Sequence, residues 1–138
     1  MNSLKNIVFI VSLTIVACTK EDNFPDTHVE EAVWVNSPQY SHVYGNPWGW
    51  DTIPGGIGGI IFVQQPDDTF VAYDRACTVE ANKDCIVSVT DDQLIFSCHQ
   101  CCNSKFIITD GSVSEGSANQ ALKRYNTYFD GDYLYITN

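Results

Sequence analysis

The sequence predicts an all-β fold, a small antiparallel β-sandwich or barrel with two cysteine-bearing loops at one end. Three observations carry this. Short runs of β-branched and aromatic residues recur with turn signals roughly every eight to twelve residues. No segment shows a convincing apolar helical period, and there is no internal repeat. Five cysteines fall into two clusters between strand-like runs, Cys77 with Cys85 and then Cys98, Cys101 and Cys102.

In chain order, Ala32 to Val35 is a short apolar strand stopped by Asn36-Ser37-Pro38. Tyr40 to Gly56 is rich in Gly, Pro and aromatic residues and reads as an ordered, irregular loop. Gly59 to Val63 is a buried strand, Pro66-Asp67-Asp68 a turn, and Thr69 to Tyr73 the return strand of a hairpin. Ile86 to Val89 is the next strand, and Asp91-Asp92 turns the chain into Leu94-Ile95-Phe96. Phe106 to Ile108 leads through Asp110-Gly111 to Ser112-Val113. Lys123 to Tyr128 and Tyr133 to Ile136 close the chain around Asp130-Gly131, and Ala118 to Leu122 has the composition of one helical turn.

The N-terminus sets the compartment. Met1 to Ala17 holds one cation, Lys5, and an apolar run from Ile7 to Val16, the pattern of a secretory signal too short to span a bilayer comfortably. Ile15-Val16-Ala17-Cys18 resembles the bacterial lipobox. That resemblance implies that residues 1–17 are removed and that Cys18 carries lipid. Residues 18–31 then form an acidic tether and 32–138 the β-domain, held at the bacterial cell envelope on the outer membrane or a periplasmic face. Lipid on Cys18 is the predicted membrane contact. Cleavage removes one of 7 cations and none of 17 acids, so the net charge moves from −10 to −11. Nucleic acid, whose phosphates need Lys and Arg, is excluded as a partner; an envelope protein of unspecified identity is the expected one.

Five cysteines beyond Cys18 in an exported domain of about 120 residues read as disulfides, with an odd one left over. Two loops that each bring a soft-ligand pair to the tip of a small β-domain also have the layout of an iron–sulfur site. The order of elements resembles a Rieske domain. The likeness rests on Tyr73-Asp74-Arg75-Ala76-Cys77-Thr78, Ser104-Lys105-Phe106, Asp110-Gly111, Glu115-Gly116-Ser117-Ala118, Leu122 to Tyr125 and Gly131 to Ile136. With the lipobox, the acidic tether and Pro38-Gln39-Tyr40, the chain resembles Rieske-like lipoproteins of Bacteroidetes-type bacteria.

The resemblance implies a degenerate site. A Rieske cluster takes a cysteine and a histidine from each loop. Cys77 falls on the first ligand, and Val79 stands where the first histidine belongs. Cys102 falls on the second histidine, and either His99 or, with a one-residue slip, Cys98 on the second cysteine. Cys101 falls where some Rieske proteins keep a loop-tying cysteine, whose partner would be Cys85, and Ser117 replaces the expected proline. Two readings follow. In the first no cofactor is bound, Cys85 pairs with Cys101, and Cys77 pairs with Cys98 or Cys102. This makes the domain a non-catalytic structural or interaction module. In the second Cys77, Cys98, His99, Cys101 and Cys102 supply ligands to an atypical [2Fe–2S] cluster of an electron carrier, or to zinc.

His99 is a ligand or a solvent-facing loop residue, and His28 and His42 are surface residues. Trp48, Trp50, Tyr40 and Tyr44 either cover one end of the domain or form a stacking platform. Asp67-Asp68 and Asp91-Asp92 are hairpin turns rather than acid–base pairs, since no candidate nucleophile lies near them. No phosphate-binding glycine loop, catalytic triad, flavin motif or nicotinamide motif is present, so no catalytic residue is assigned.

Overall fold

The computed structural model describes residues 24–90, 92 and 94–138. Cys18, the apolar leader and Asp91 lie outside the described residues. Ten strands follow in order: β1 (Glu30–Trp34), β2 (Trp50–Ile53), β3 (Ile60–Gln64), β4 (Phe70–Asp74), β5 (Ser88–Val89), β6 (Ile95–Cys98), β7 (Ser104–Ile107), β8 (Val113–Glu115), β9 (Arg124–Phe129) and β10 (Tyr133–Thr137). The only helical element among the described residues is a 3-10 turn, Pro38–Tyr40. Among them no helix is long and apolar enough to cross a membrane.

Six strands form one curled antiparallel sheet in the order β1-β10-β9-β4-β3-β2, and four form a second, β5-β6-β7-β8. The β3–β4 hairpin is buried on both faces, which explains the unbroken apolar run Ile60 to Val63. Side chains alternate across a strand. Ile60, Phe62, Phe70 and Ala72 therefore join Val33, Tyr125, Leu134 and Ile136 inside the curl. Ile61, Val63, Val71 and Tyr73 face the other way, onto Phe96 and Phe106 of the small sheet, Ile108 just past β7, and three cysteines. Each such aliphatic or aromatic side chain contributes roughly 1.5–3 kcal/mol on burial.

The outer face of the large sheet is aromatic. Trp34 stacks on Tyr133 at 6.5 Å, Tyr133 lies 6.4 Å from Tyr135, and Tyr135 stacks on Tyr128 at 6.1 Å. The register places Trp34 opposite Tyr133 and Tyr135 opposite Tyr128, so the rings follow cross-strand neighbours.

Three local readings change. The segment predicted to be an irregular loop from Tyr40 to Gly56 contains β2, an edge strand paired with Ile60 to Val63. All four of its residues are half-buried, so it shows no period-two alternation in sequence. Ala118 to Leu122 is not helical, because its amides are taken by distant acceptors. The Ala118 N–H donates to Ser104 Oγ (2.9 Å) and the Leu122 N–H to the Gly111 carbonyl (2.9 Å). The acidic N-terminal segment docks from Phe24 onward. Phe24 and Val29 are buried, and the Val29 N–H donates to Asn138 Oδ1 at 3.0 Å.

Candidate functional site

The first cysteine loop leaves β4 at Asp74. This carboxylate is fully buried, and no basic side chain among the described residues pairs with it; it accepts four hydrogen bonds instead. Oδ2 takes the Ile57 N–H (2.7 Å) and the Tyr125 hydroxyl (2.8 Å), and Oδ1 the N–H groups of Gly58 (2.9 Å) and Ala76 (2.8 Å). Burial, and then the bond to Asp74, push the Tyr125 hydroxyl pKa well up. Asp74 thus fixes the entry to the loop against β9 and the glycine-rich turn before β3. The loop mouth is closed by backbone bonds, Val87 N–H to Arg75 (2.7 Å) and Cys77 N–H to Cys85 (2.8 Å). Asn82 turns the chain inside, its Oδ1 accepting the N–H groups of Asp84 and Cys85, both at 2.9 Å.

The second loop leaves β6. Phe96 and Cys98 point to one face of that strand, into the core, while His99 lies past its end, exposed, with Nδ1 3.4 Å from Ser97 Oγ. Asn103 at φ 49° turns the chain back into β7. A third segment covers both loops. Ser117 Oγ donates to the Cys102 carbonyl (3.3 Å), and the Thr78 hydroxyl donates to the Gln120 carbonyl (2.8 Å). Gly116, at φ 96°, has no room for a side chain. A Cβ there would lie 2.5 Å from Ser104 Cα and 2.7 Å from the Asn103 carbonyl oxygen.

Five sulfurs meet between these loops. Cys85 and Cys101 form a disulfide with Cα atoms 5.8 Å apart, and Cys77, Cys98 and Cys102 are thiols. Cys77 Sγ is 2.9 Å from Cys102 Sγ, and Cys98 Sγ is 3.6 Å from Cys85 Sγ. The Cys77, Cys98 and Cys102 sulfurs all lie within 4.8 Å of one another, as do those of Cys85, Cys98 and Cys101. Cys77 and Cys98 are buried, Cys102 half-buried and Cys101 exposed. Burial, and then the hydrogen bond to Cys102, push the Cys77 thiol up to about 12. Burial also pushes Cys98 up. At Cys102 burial acts upward too, but hydrogen bonds from Cys77, from Ser104 and from Cys98 outweigh it and hold this thiol below its ordinary value.

The structure brings together every cysteine of the two predicted clusters and leaves His99 outside. Val79 is 47 % exposed, so the first-histidine position is filled by a side chain pointing to solvent. His28 and His42 are exposed, beside Glu30 (3.6 Å) and Asp51 (3.1 Å). Tyr40 packs edge-on against Phe62 and Tyr44 against Phe129. Trp48 and Trp50 pack against the core that holds the sulfurs and line an open cleft with His42, Asn46, Pro47, Gly49 and Asp51. Sequence reasoning missed the roles of Asp74, Thr78 and Ser104, most of whose contacts are non-local.

Curled antiparallel strands with two sulfur loops under a small-residue cover define the class: the domain has the Rieske-like fold. Solved structures agree. A plasma-membrane Rieske protein of the cyanobacterium Synechocystis PCC 6803 is similar at TM-score 0.54 and 23 % identity, over 63 % of this chain and 84 % of that one. The ferredoxin of carbazole 1,9a-dioxygenase from Nocardioides aromaticivorans IC177 is similar at TM-score 0.52 and 12 % identity, over 81 % and 98 %. A chain of a carbazole 1,9a-dioxygenase oxygenase–ferredoxin complex is similar at TM-score 0.51 and 13 % identity, over 80 % and 92 %. At these identities the likeness is one of fold. No protein-family model and no curated protein matches the sequence.

The donor set does not fit the cluster of that fold. A Rieske cluster needs two imidazoles on one iron and two thiolates on the other. Here three thiols converge without an imidazole, and the two remaining sulfurs are bonded to each other. Either group of three sulfurs is compact enough for a single thiophilic ion, such as zinc, if its members were free thiolates.

Proposed function

We propose that this chain is a lipid-anchored envelope protein whose Rieske-like domain acts as a non-catalytic scaffold and interaction module. The observation that carries this is the Cys85–Cys101 disulfide lying beside an imidazole-free group of thiols. It ties the two loops that a Rieske cluster would otherwise hold. Closing a loop with a sequence separation of 16 stabilises by about 3 kcal/mol, a useful share for a domain this small. Anchoring rests on the leader and Cys18, which the sequence alone supplies.

The convergence of Cys77, Cys98 and Cys102 favours one competing reading, an electron carrier with an atypical cluster. Iron and acid-labile sulfide, measured on protein extracted anaerobically from its native membrane, separate the two. Neither iron nor sulfide is expected; about two of each per chain would establish the carrier. Incorporation of labelled palmitate that disappears with Cys18→Ala tests the anchor, and no incorporation into the parent chain would remove it.

A further inference from the structure

We propose that Cys102 and Cys77 form a redox-active dithiol that exchanges with a disulfide of a partner protein, Cys102 attacking and Cys77 resolving. This rests on the reading of loops without a cluster and assigns their sulfurs a chemistry.

Geometry supplies the argument. The two sulfurs are 2.9 Å apart, come from different loops and are the closest pair of thiols at the site. Their exposures differ. Cys77 is fully buried, whereas Cys102 is half-buried on a turn between exposed Cys101 and exposed Asn103. A partner sulfur can therefore reach Cys102 and not Cys77. Thiol–disulfide exchange needs one accessible nucleophile and a sheltered second thiol within bonding reach. The hydrogen bonds that favour the Cys102 thiolate act in the same sense. The Cys85–Cys101 disulfide holds the turn that carries Cys102 while the pair changes state.

The chemistry balances. The Cys102 thiolate attacks one sulfur of the partner disulfide, whose S–S bond breaks; the departing partner thiolate takes up the proton that Cys102 lost. Cys77, on losing its proton, attacks Cys102 Sγ, and the mixed disulfide breaks. The second partner sulfur leaves as a thiolate and is protonated. The partner gains two electrons and two protons, and the Cys77/Cys102 dithiol is oxidised to a disulfide. Cys98, within 4.8 Å of both sulfurs, is a second buried thiol able to resolve when Cys77 is removed.

The test uses the full-length chain in detergent, with iron, sulfide and zinc measured first. The protein is equilibrated in glutathione buffers of graded potential, quenched in acid, alkylated and peptide-mapped. The expected result is reversible loss and return of the Cys77 and Cys102 thiols together, as one two-electron transition, while the Cys85–Cys101 link persists through it. Cys102→Ser should abolish the transition, and Cys77→Ser with Cys98→Ser should accumulate glutathione on Cys102. Metal-free, folded protein whose Cys77 and Cys102 stay unchanged across the whole range would overturn the inference and leave the scaffold reading intact. A bound cluster would overturn both. Should Cys102→Ser fail to fold, the map of the parent chain decides alone, since a transition confined to Cys98 with either thiol would equally refute the assigned pair.

Discussion

The large and small sheets hold their shapes by different means. In the large sheet, strands of four to six residues bury Ile60, Phe62, Leu134 and Ile136 against one another. In the small sheet the strands have two to four residues, and the loops that enter, join and leave them are fixed by a disulfide, by the Ser117 and Thr78 hydroxyls, and by contacts that leave no space at Gly116. Apolar packing tolerates no loss of volume but is indifferent to redox state. Local ties are the reverse: each is modest, and one depends on the oxidant outside. The two loops that carry the sulfurs are held by covalent and hydrogen-bonded ties.

That contrast can be broken in several places. Phe62→Ala, in the core of the large sheet, should cost about 3–5 kcal/mol in denaturant unfolding, by the same amount with and without reductant. A cost that grows in reductant would show that the two sheets do not differ as described. Asp74→Ala removes the acceptor of three backbone N–H groups and a tyrosine hydroxyl at the junction of the sheets. A loss of about 3 kcal/mol or more is expected, with chemical shifts disturbed in both sheets; changes confined to one would remove Asp74 from the junction. Cys85→Ser with Cys101→Ser should cost about 2–4 kcal/mol and remove the stability that the parent chain loses when a strong reductant opens Cys85–Cys101; an equal loss in the variant would show that this link is not a redox-dependent tie of the small sheet. Gly116→Ala meets both Ser104 Cα and a φ of 96°, and about 1–3 kcal/mol is expected; hydrogen exchange should rise first around Ser104 and Ala118, not in β10.

The finest test is alkaline. Burial pushes the Tyr73 hydroxyl from 10.0 up to about 12, so the folded state keeps a proton that the unfolded state releases. Its contribution is fully present below pH 10 and is lost as pH rises through about 12. The Tyr73 hydroxyl donates to the Ile108 carbonyl at 3.2 Å, joining β4 to the end of β7. Tyr73→Phe should flatten the stability profile in that window; an unchanged slope would remove Tyr73 from the alkaline limb.

The strands of the large sheet were legible because burial is periodic there, as in β10, or continuous, as in β3. β2 was not, since Trp50 to Ile53 is an edge strand half-buried throughout. The sequence placed the cysteines in two loops, but the ambiguity between Cys98 and His99 turned on where β6 ends. In the structure Cys98 shares the core face of β6 with Phe96, and His99 lies past the end of the strand. Asp74 looked like one letter of a motif, because three of its four donors, at Ile57, Gly58 and Tyr125, lie far along the chain. Ser104 and Thr78 were silent for the same reason.

The distribution of the indoles has an optical consequence. Trp34 stands on the outer face of the large sheet beside Tyr133, whereas Trp48 and Trp50 pack against the core that contains the sulfurs. Tyrosine excitation passed along the row of rings should therefore emerge from Trp34. Emission from Trp48 and Trp50 should respond to loosening of the core between the sheets. With Trp34→Phe and with Trp48→Phe plus Trp50→Phe, one fluorimeter can follow the outer face of the large sheet and the core between the sheets separately, without any added label.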